Sequence, residues 1–73
     1  MKDYHINLFY SEEDEGYIAD IPDLKYCSAF GESPVKALEE VLTAKEAWLA
    51  SALENGTEIP TPKYTPLIYQ FRS

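Results

Sequence analysis

The sequence has little cysteine and no long apolar run, and each shortage excludes a class of protein. Cys27 is the one cysteine among the 73 residues, so no disulfide can form within the chain. A lone cysteine and the lack of a signal-peptide pattern are typical of proteins in a reducing compartment. No apolar stretch approaches the roughly 20 residues that a membrane-spanning helix needs. We therefore expect a cytoplasmic protein that has no membrane segment.

Positive charge is also scarce. The chain carries 13 acidic and 6 basic residues, for a formal net charge of −7, and the basic residues are scattered along it. Direct binding to nucleic acid gains its affinity from clustered Lys and Arg side chains that neutralise phosphates. This composition argues against DNA or RNA binding by the chain alone and favours a basic protein partner. The alternative is an acidic surface that only keeps a small protein soluble.

The side chains of common catalytic and metal sites are missing or isolated. His5 is the single histidine and has no Ser, Cys or Asp partner at an informative spacing. The run Glu12-Glu13-Asp14-Glu15 lacks the alternating oxygen positions and the fixed glycine of a calcium loop. Asp20 has no clear second carboxylate on its strand, and Cys27 stands in an apolar pattern typical of a small buried side chain. The sequence therefore predicts no catalytic residue, no metal site and no cofactor.

The length fits one small domain that spans residues 1–73. A chain of this size buries only roughly 60% of the surface that it exposes when unfolded, so its stability is marginal. Oligomerisation or a bound partner would add to that stability. An interaction role is therefore a reasonable expectation from length alone.

Alternation of apolar side chains predicts three strands in the first half of the chain, because successive strand residues point to opposite faces. The predicted strands are Lys2–Tyr10, Tyr17–Ile21 and Tyr26–Phe30. The inner face of the first is formed by Tyr4, Ile6, Leu8 and Tyr10. Their order along the chain predicts an antiparallel meander.

Two breaks separate these strands. Ser11–Glu15 is predicted to be a hairpin loop, because its adjacent carboxylates repel one another and favour solvent. Gly16 follows the loop and is predicted to take a positive φ. Pro22-Asp23 is predicted to form a turn, because proline cannot donate to a sheet ladder and aspartate favours turns.

The second half predicts one helix, over about Pro34–Glu54. Ser33 is a suitable N-cap before a proline in the first turn, and Gly56 is a suitable left-handed residue after the last turn. One apolar stripe at spacings of three and four is expected to face the sheet. Its members are Leu38, Val41, Leu42, Lys45, Trp48, Leu49, Ala52 and Leu53.

Alternation over Leu67–Phe71 predicts a last strand, so the order is β-β-β-α-β. An amphipathic helix needs a sheet face to cover it, which makes a two-layer α+β domain. The crossover from strand three is long enough to place strand four beside strand one and parallel to it.

A combination of short motifs resembles the HicB-like antitoxin family of type II toxin–antitoxin systems. The resemblance covers about residues 4 to 62, and the sequence departs from it at Lys25 and Tyr26, where such proteins usually carry Pro and Gly. The matching residues are Glu13-Asp14-Glu15-Gly16-Tyr17-Ile18-Ala19, Ile21-Pro22-Asp23-Leu24, Cys27, Gly31-Glu32-Ser33, Ala37-Leu38, Ala47-Trp48-Leu49, Gly56, Ile59-Pro60 and Pro62.

The resemblance implies a partly degraded ribonuclease-H-like domain that has lost the acidic catalytic cluster. It implies a partner as well: a small basic toxin, HicA, which resembles a double-stranded-RNA-binding domain and cleaves mRNA, and whose active site the antitoxin covers. Many members carry a C-terminal DNA-binding domain. This sequence stops at Ser73, directly after the last predicted strand, so a stand-alone member is expected.

Charge, the empty motif search and the resemblance together predict a non-enzymatic antitoxin that neutralises a basic HicA-like toxin. Two alternatives stay open. One is a self-associating protein, a dimer or tetramer, held by exposed tyrosines and strand edges. The other is a divergent Mg²⁺-dependent nuclease remnant that uses Asp20. The residues predicted to contact the partner are Glu12, Glu13, Asp14, Glu15, Asp20, Asp23 and Tyr26.

Overall fold

The computed structural model describes residues 3–66 and has an α+β architecture. Three antiparallel strands form one sheet in the order β1-β2-β3, and one helix follows them. The elements are β1 (Asn7–Ser11), β2 (Gly16–Asp20), β3 (Ser28–Gly31) and α1 (Pro34–Asn55). The predicted β-β-β-α order and the meander are therefore confirmed. The predicted last strand, Leu67–Phe71, lies outside the described residues.

The strand bounds differ from the predicted ones at both breaks and at the start of the first strand, where β1 begins at Asn7 and residues 3–6 of the predicted strand lie outside it. β1 continues to Ser11, which pairs with Gly16, so the hairpin loop is confined to residues 12–15. β3 begins at Ser28 rather than Tyr26, because residues 21–27 form a closed loop. In that loop the Ile21 N–H donates to Cys27 O (2.9 Å), and the Cys27 N–H donates to Leu24 O (3.1 Å). The proline turn is thus longer than the sequence predicted.

The prediction of a positive φ at Gly16 is wrong, because Glu15 takes the left-handed conformation that turns the chain back into β2. Glu15 has a φ of 51°, and Gly56 is the one positive-φ glycine in the described chain. At position 16 the lack of a side chain leaves space for the ring of Phe30. A Cβ there would meet the ring of Phe30, which lies over β2 at that point.

The helix ends follow the predicted capping chemistry. The Lys36 N–H donates to the Ser33 side-chain oxygen (3.1 Å), and Ser33 has an extended backbone with a φ of −136°. Gly56 has a φ of 67°, and the next N–H, of Thr57, donates back to Ala52 O (2.9 Å). Both groups of hydrogen bonds satisfy backbone atoms that a helix end leaves unpaired.

The helix face that contacts the sheet agrees only in part with the predicted stripe: Val41 and Ala52 are buried as predicted, whereas the leucines of the stripe are not. The buried helix residues are Ala37, Val41 and Ala52, which join Ala19, Ile21, Leu24 and Cys27 in the core. Leu38 and Leu42 are each 38% exposed, and Leu53 is 73% exposed. The leucine-rich side of the helix is therefore a flank, and the alanine-rich side is the contact face.

The close approach of the helix to the sheet explains why the alanine-rich side of α1 is the contact face. A Cβ at Gly31 would lie 2.6 Å from the Ala37 Cα, so only glycine fits beneath the first turn of α1. Ala19 and Ala29, paired on β2 and β3, are small for the same reason. A leucine on the contact face would need more space than this approach leaves.

Within residues 3–66, the helix lacks the length of apolar sequence that crossing a bilayer requires.

Candidate functional site

The structure divides the predicted partner-binding residues between the two ends of β2. Glu12–Glu15 precede this strand, and Asp20 is its last residue. Four steps at a rise of about 3.3 Å separate the strand's ends by about 13 Å. Asp23 and Tyr26 follow in the closed loop, at the Asp20 end. The seven residues therefore form two groups: the acidic hairpin loop (residues 12–15) and the Ile21–Cys27 loop with Asp20.

The acidic hairpin loop is a compact turn with outward carboxylates. The Ser11 hydroxyl donates to the Asp14 carboxylate (2.9 Å), and the Glu15 N–H donates to Glu12 O (3.4 Å). All of residues 12–15 are exposed. Among residues 3–66, no group of three His, Cys, Asp or Glu side chains is arranged to hold a metal ion. This arrangement can attract a cationic surface through solvent.

Asp23 fastens a distant part of the chain. Its Oδ2 accepts hydrogen bonds from the backbone N–H groups of Lys63 and Tyr64, each at 3.0 Å. These contacts attach the extended segment after the helix to the Ile21–Cys27 loop. The Tyr4 hydroxyl adds a further bond, to Pro60 O (2.6 Å). Asp23 therefore has a structural role, and its contact with a partner stays a prediction.

Tyr26 combines a bulky side chain with a left-handed backbone. Its φ is 63°, and its side chain is 92% exposed. Non-glycine residues rarely take this conformation, which costs about 1–3 kcal/mol. The loop holds it in place because Ile21, Leu24 and Cys27 on either side are all buried. The Lys25 ammonium lies over the ring, 5.5 Å from its centroid.

A groove of about 430 Å³ opens beside Tyr26. It runs between the Ile21–Cys27 loop and the C-terminal half of α1, with Tyr26 and Trp48 among its walls and Ser51 and Asn55 farther along. The Trp48 indole N–H donates to Lys25 O (2.9 Å), so the ring is fixed against the loop. The groove gives this end of the molecule a recess that can take an apolar or planar side chain.

Sequence periodicity assigned Trp48 to the core, and the groove itself was missed. The indole does pack against core residues, but it is only partly buried and forms a groove wall. One sequence signal was available: the run Ala44, Ala47 and Ala52 around Trp48 leaves little bulk on that side of the helix. Small neighbours beside one large aromatic ring are consistent with a surface recess.

The two isolated reactive side chains have ordinary structural surroundings. Cys27 is buried, and desolvation by burial raises the pKa of its thiol; the charge of Lys45 lowers this pKa by a smaller amount, and the charge of Asp20 adds to the increase. A raised pKa disfavours the nucleophilic thiolate. His5 Nε2 lies 2.6 Å from Asn7 Oδ1, and its ring centroid lies 4.8 Å from that of Tyr64. The histidine therefore links β1 to the extended segment after the helix.

Comparison with known proteins gives one relative. The chain is 33% identical over 54 residues to the UPF0150 protein ssl0259 of Synechocystis sp. (strain ATCC 27184 / PCC 6803 / Kazusa), a match that covers 74% of each chain. No protein-family model matches the sequence. No solved structure matches it either.

Proposed function

This chain belongs to the UPF0150 family, and from that premise we propose that it is a non-enzymatic, cytoplasmic antitoxin-type binding protein. Its target is a small basic HicA-like toxin that cleaves mRNA, and binding covers the toxin's active site. The sequence resemblance to HicB-like antitoxins supports this choice of partner. A fourth strand beside β1 and a partly degraded ribonuclease-H-like fold belong to the same proposal.

The observation that carries the proposal is the conformation of Tyr26. A nearly fully exposed tyrosine gains little from folding, and its left-handed backbone has a cost. Strained residues of this kind concentrate at functional sites. Tyrosine is also enriched among the residues that dominate binding energy at protein interfaces. Tyr26 and the adjoining groove therefore form the proposed anchor point.

Charge supports a basic partner at the same end. The net charge of −7 attracts a cationic protein over the whole surface, and Asp20 lies one loop away from Tyr26. Complementary charge speeds encounter and fixes orientation more than it sets affinity. The acidic hairpin loop, about 13 Å away along β2, contributes to this attraction without forming part of the anchor.

The test first asks whether a short reading frame for a small basic protein adjoins this gene, and then uses its product. The two proteins are co-expressed, and binding of the purified pair is measured by calorimetry at low and at physiological salt. We expect a one-to-one interface whose affinity falls as salt rises. Tyr26→Ala should weaken it at least tenfold, whereas Leu53→Ala, at an exposed position on the outer side of α1, should leave it unchanged.

Charge variants separate attraction from anchoring. Glu12→Gln with Glu13→Gln should slow association and reduce its salt dependence. Glu39→Gln with Glu40→Gln removes the same charge from the helix exterior and should have a smaller effect. Absence of any complex at low salt, or an affinity that Tyr26→Ala does not change, would contradict the proposal.

A further inference from the structure

The groove beside Tyr26 extends to the C-terminal end of α1. Its walls include helix residues from Ala44 to Asn55 and then Thr57, which follows the cap. In the last turn of an α-helix the backbone carbonyls lack partners within the helix, and the helix dipole gives this end a partial negative charge. One end of the groove therefore attracts positive charge.

The sequence of the last helical turn does not compensate this negative end. Residues 52–55 include Glu54 and no basic residue. The capping N–H groups that follow the helix donate to the carbonyls of Ala52 and Leu53. Within residues 3–66, no backbone N–H donates to the carbonyls of Glu54 and Asn55. A cation from another molecule would meet both the charge and the open hydrogen-bond acceptors of this helix end.

Two aromatic residues, Tyr26 and Trp48, line the same groove. The face of an aromatic ring carries negative charge density and attracts a cation, most strongly in tryptophan. The Lys25 ammonium already lies over the Tyr26 ring, 5.5 Å from its centroid. Among the described residues, those that line the groove carry no charge. An incoming cation therefore meets aromatic rings and neutral side chains in the groove wall, and it competes with Lys25 for Tyr26.

The polar side chains of the groove wall supply hydrogen-bond acceptors. Asn55 Nδ2 donates to Ser51 Oγ (3.2 Å), which leaves the side-chain oxygen of Asn55 to accept. The hydroxyl of Thr57 lies in the same wall and can accept as well. A guanidinium group is planar, stacks on aromatic rings and donates several hydrogen bonds, whereas an ammonium is compact and more strongly hydrated. A groove with aromatic rings and several oxygen acceptors therefore suits arginine better than lysine.

We propose that the groove binds an arginine side chain of the basic partner, with the guanidinium beside the aromatic walls and close to the C-terminus of α1. The inference rests on the proposed function for the source of that arginine, and it adds which chemical group of the partner is recognised. Charge complementarity selects this occupant, because a chain of net charge −7 attracts a cationic protein. An apolar side chain would leave the helix carbonyls unpaired, and a carboxylate would be repelled by the negative helix end.

Titration of the full chain with N-acetyl-arginine amide tests the groove without any partner protein. Trp48 is the single tryptophan of the chain, so its fluorescence reports on this site, and amide NMR spectra identify the residues whose signals shift. We expect saturable binding with a dissociation constant in the millimolar range, as suits one side chain. N-acetyl-citrulline amide has the same planar end without the charge and should bind about fivefold more weakly. N-acetyl-lysine amide should also bind more weakly than the arginine compound.

Two lysine variants locate the contact. Asn55→Lys places a cation in the groove wall and should weaken binding of the arginine compound by about tenfold. Its fold should be at least as stable as that of the native chain, because positive charge suits a helix C-terminus. The matched control is Leu53→Lys, which adds the same charge to the same turn at a position that is 73% exposed and outside the groove wall. At physiological salt it should leave binding unchanged, and circular dichroism melting curves check that both variants fold.

The same two variants separate this inference from the proposed function. In the complex with the basic protein, Asn55→Lys should weaken binding by about tenfold, whereas Leu53→Lys should not. The inference is overturned if the arginine compound does not bind, if the citrulline compound binds equally well, or if both lysine variants have the same effect; the antitoxin role then stands as long as the complex depends on Tyr26. Saturable arginine binding in the groove without any complex of the basic protein would support the arginine site and contradict the proposed partner.

Discussion

The left-handed backbone at Tyr26 makes an unusual prediction about stability: replacing this tyrosine with glycine should stabilise the fold more than replacing it with alanine. Alanine removes the ring and keeps the Cβ, so the conformational cost stays. Glycine removes that cost as well, because it takes a φ of 63° freely. The comparison between the two variants therefore isolates the backbone conformation from the side chain.

The expected difference follows from two opposing terms. A left-handed conformation costs a residue with a Cβ about 1–2 kcal/mol. Glycine loses more backbone freedom on folding, which offsets about 0.5–1 kcal/mol of that gain. Both variants lack the ring, which is 92% exposed in the native chain, so its loss does not affect the difference between them. Glycine should therefore exceed alanine by about 1 kcal/mol.

Urea unfolding and thermal melting followed by circular dichroism measure this difference. For a domain of this size, 1 kcal/mol corresponds to about 4–8 °C in Tm. Ser51 provides the control of opposite sign, because it is an exposed helical position with ordinary geometry. There glycine should be less stable than alanine by about 1 kcal/mol. If position 26 shows the same order as position 51, the left-handed assignment and the strain argument are refuted.

The same variants connect stability to binding. Tyr26→Gly should be at least as stable as Tyr26→Ala and should bind the toxin just as poorly, because both lack the ring. A loss of binding in the better-folded variant would show that the ring, and not loop order, provides the contact. Interface residues that dominate binding contribute about 2 kcal/mol or more, which corresponds to a loss of about thirtyfold in affinity.

Four further substitutions test the backbone contacts of two glycines, the hydrogen bonds of Asp23 and the buried thiol of Cys27. Gly31→Ala should destabilise the fold by about 3 kcal/mol in urea unfolding, because the new Cβ meets the Ala37 backbone. Gly56→Ala should cost only about 1 kcal/mol, because its Cβ enters open space and only the positive φ is unfavourable. Equal losses of stability in the two variants would contradict this reasoning. Asp23→Ala should cost about 1–2 kcal/mol and hasten proteolysis of residues 57–66, because two backbone donors lose their acceptor. Unchanged proteolysis would contradict the fastening role. For Cys27, burial raises the thiol pKa above its ordinary value of 9.0, so its stabilising contribution is complete below that pH and decreases as pH rises. Cys27→Ala should remove this alkaline decrease in urea titrations, and labelling of the native thiol by a thiol reagent should require unfolding.

The helix shows where periodicity succeeds and where it stops. Its bounds follow from Ser33, Pro34 and Gly56, because capping depends on atoms within one turn. The contact face does not follow from local sequence. A leucine side chain is more hydrophobic than an alanine side chain, so a stripe chosen by hydrophobicity passes through Leu38 and Leu42. Their partial exposure reflects the close approach of the sheet at Gly31, a contact between residues on different elements.

The predicted site residues divide in the same way. The exposure of Glu12–Glu15 was predictable, because adjacent carboxylates favour solvent. The departure from the HicB-like pattern at Tyr26 was visible too, since a glycine is usual there. The importance of this departure became clear only from the φ of Tyr26, which is 63°. The fastening role of Asp23 was hidden, because its two donors, Lys63 and Tyr64, lie 40 residues or more away along the chain.

The sequence by itself determined the order of the four described elements, the helix ends, the net charge and the family. Each depends on neighbouring residues, on composition or on direct comparison, so no tertiary contact is needed. Only the folded structure decided which helix face meets the sheet, why position 31 must be glycine, and that Phe9, Ile18 and Phe30 form one row. Those features arise where segments distant in sequence compete for the same space, and close packing, which local patterns do not encode, resolves that competition.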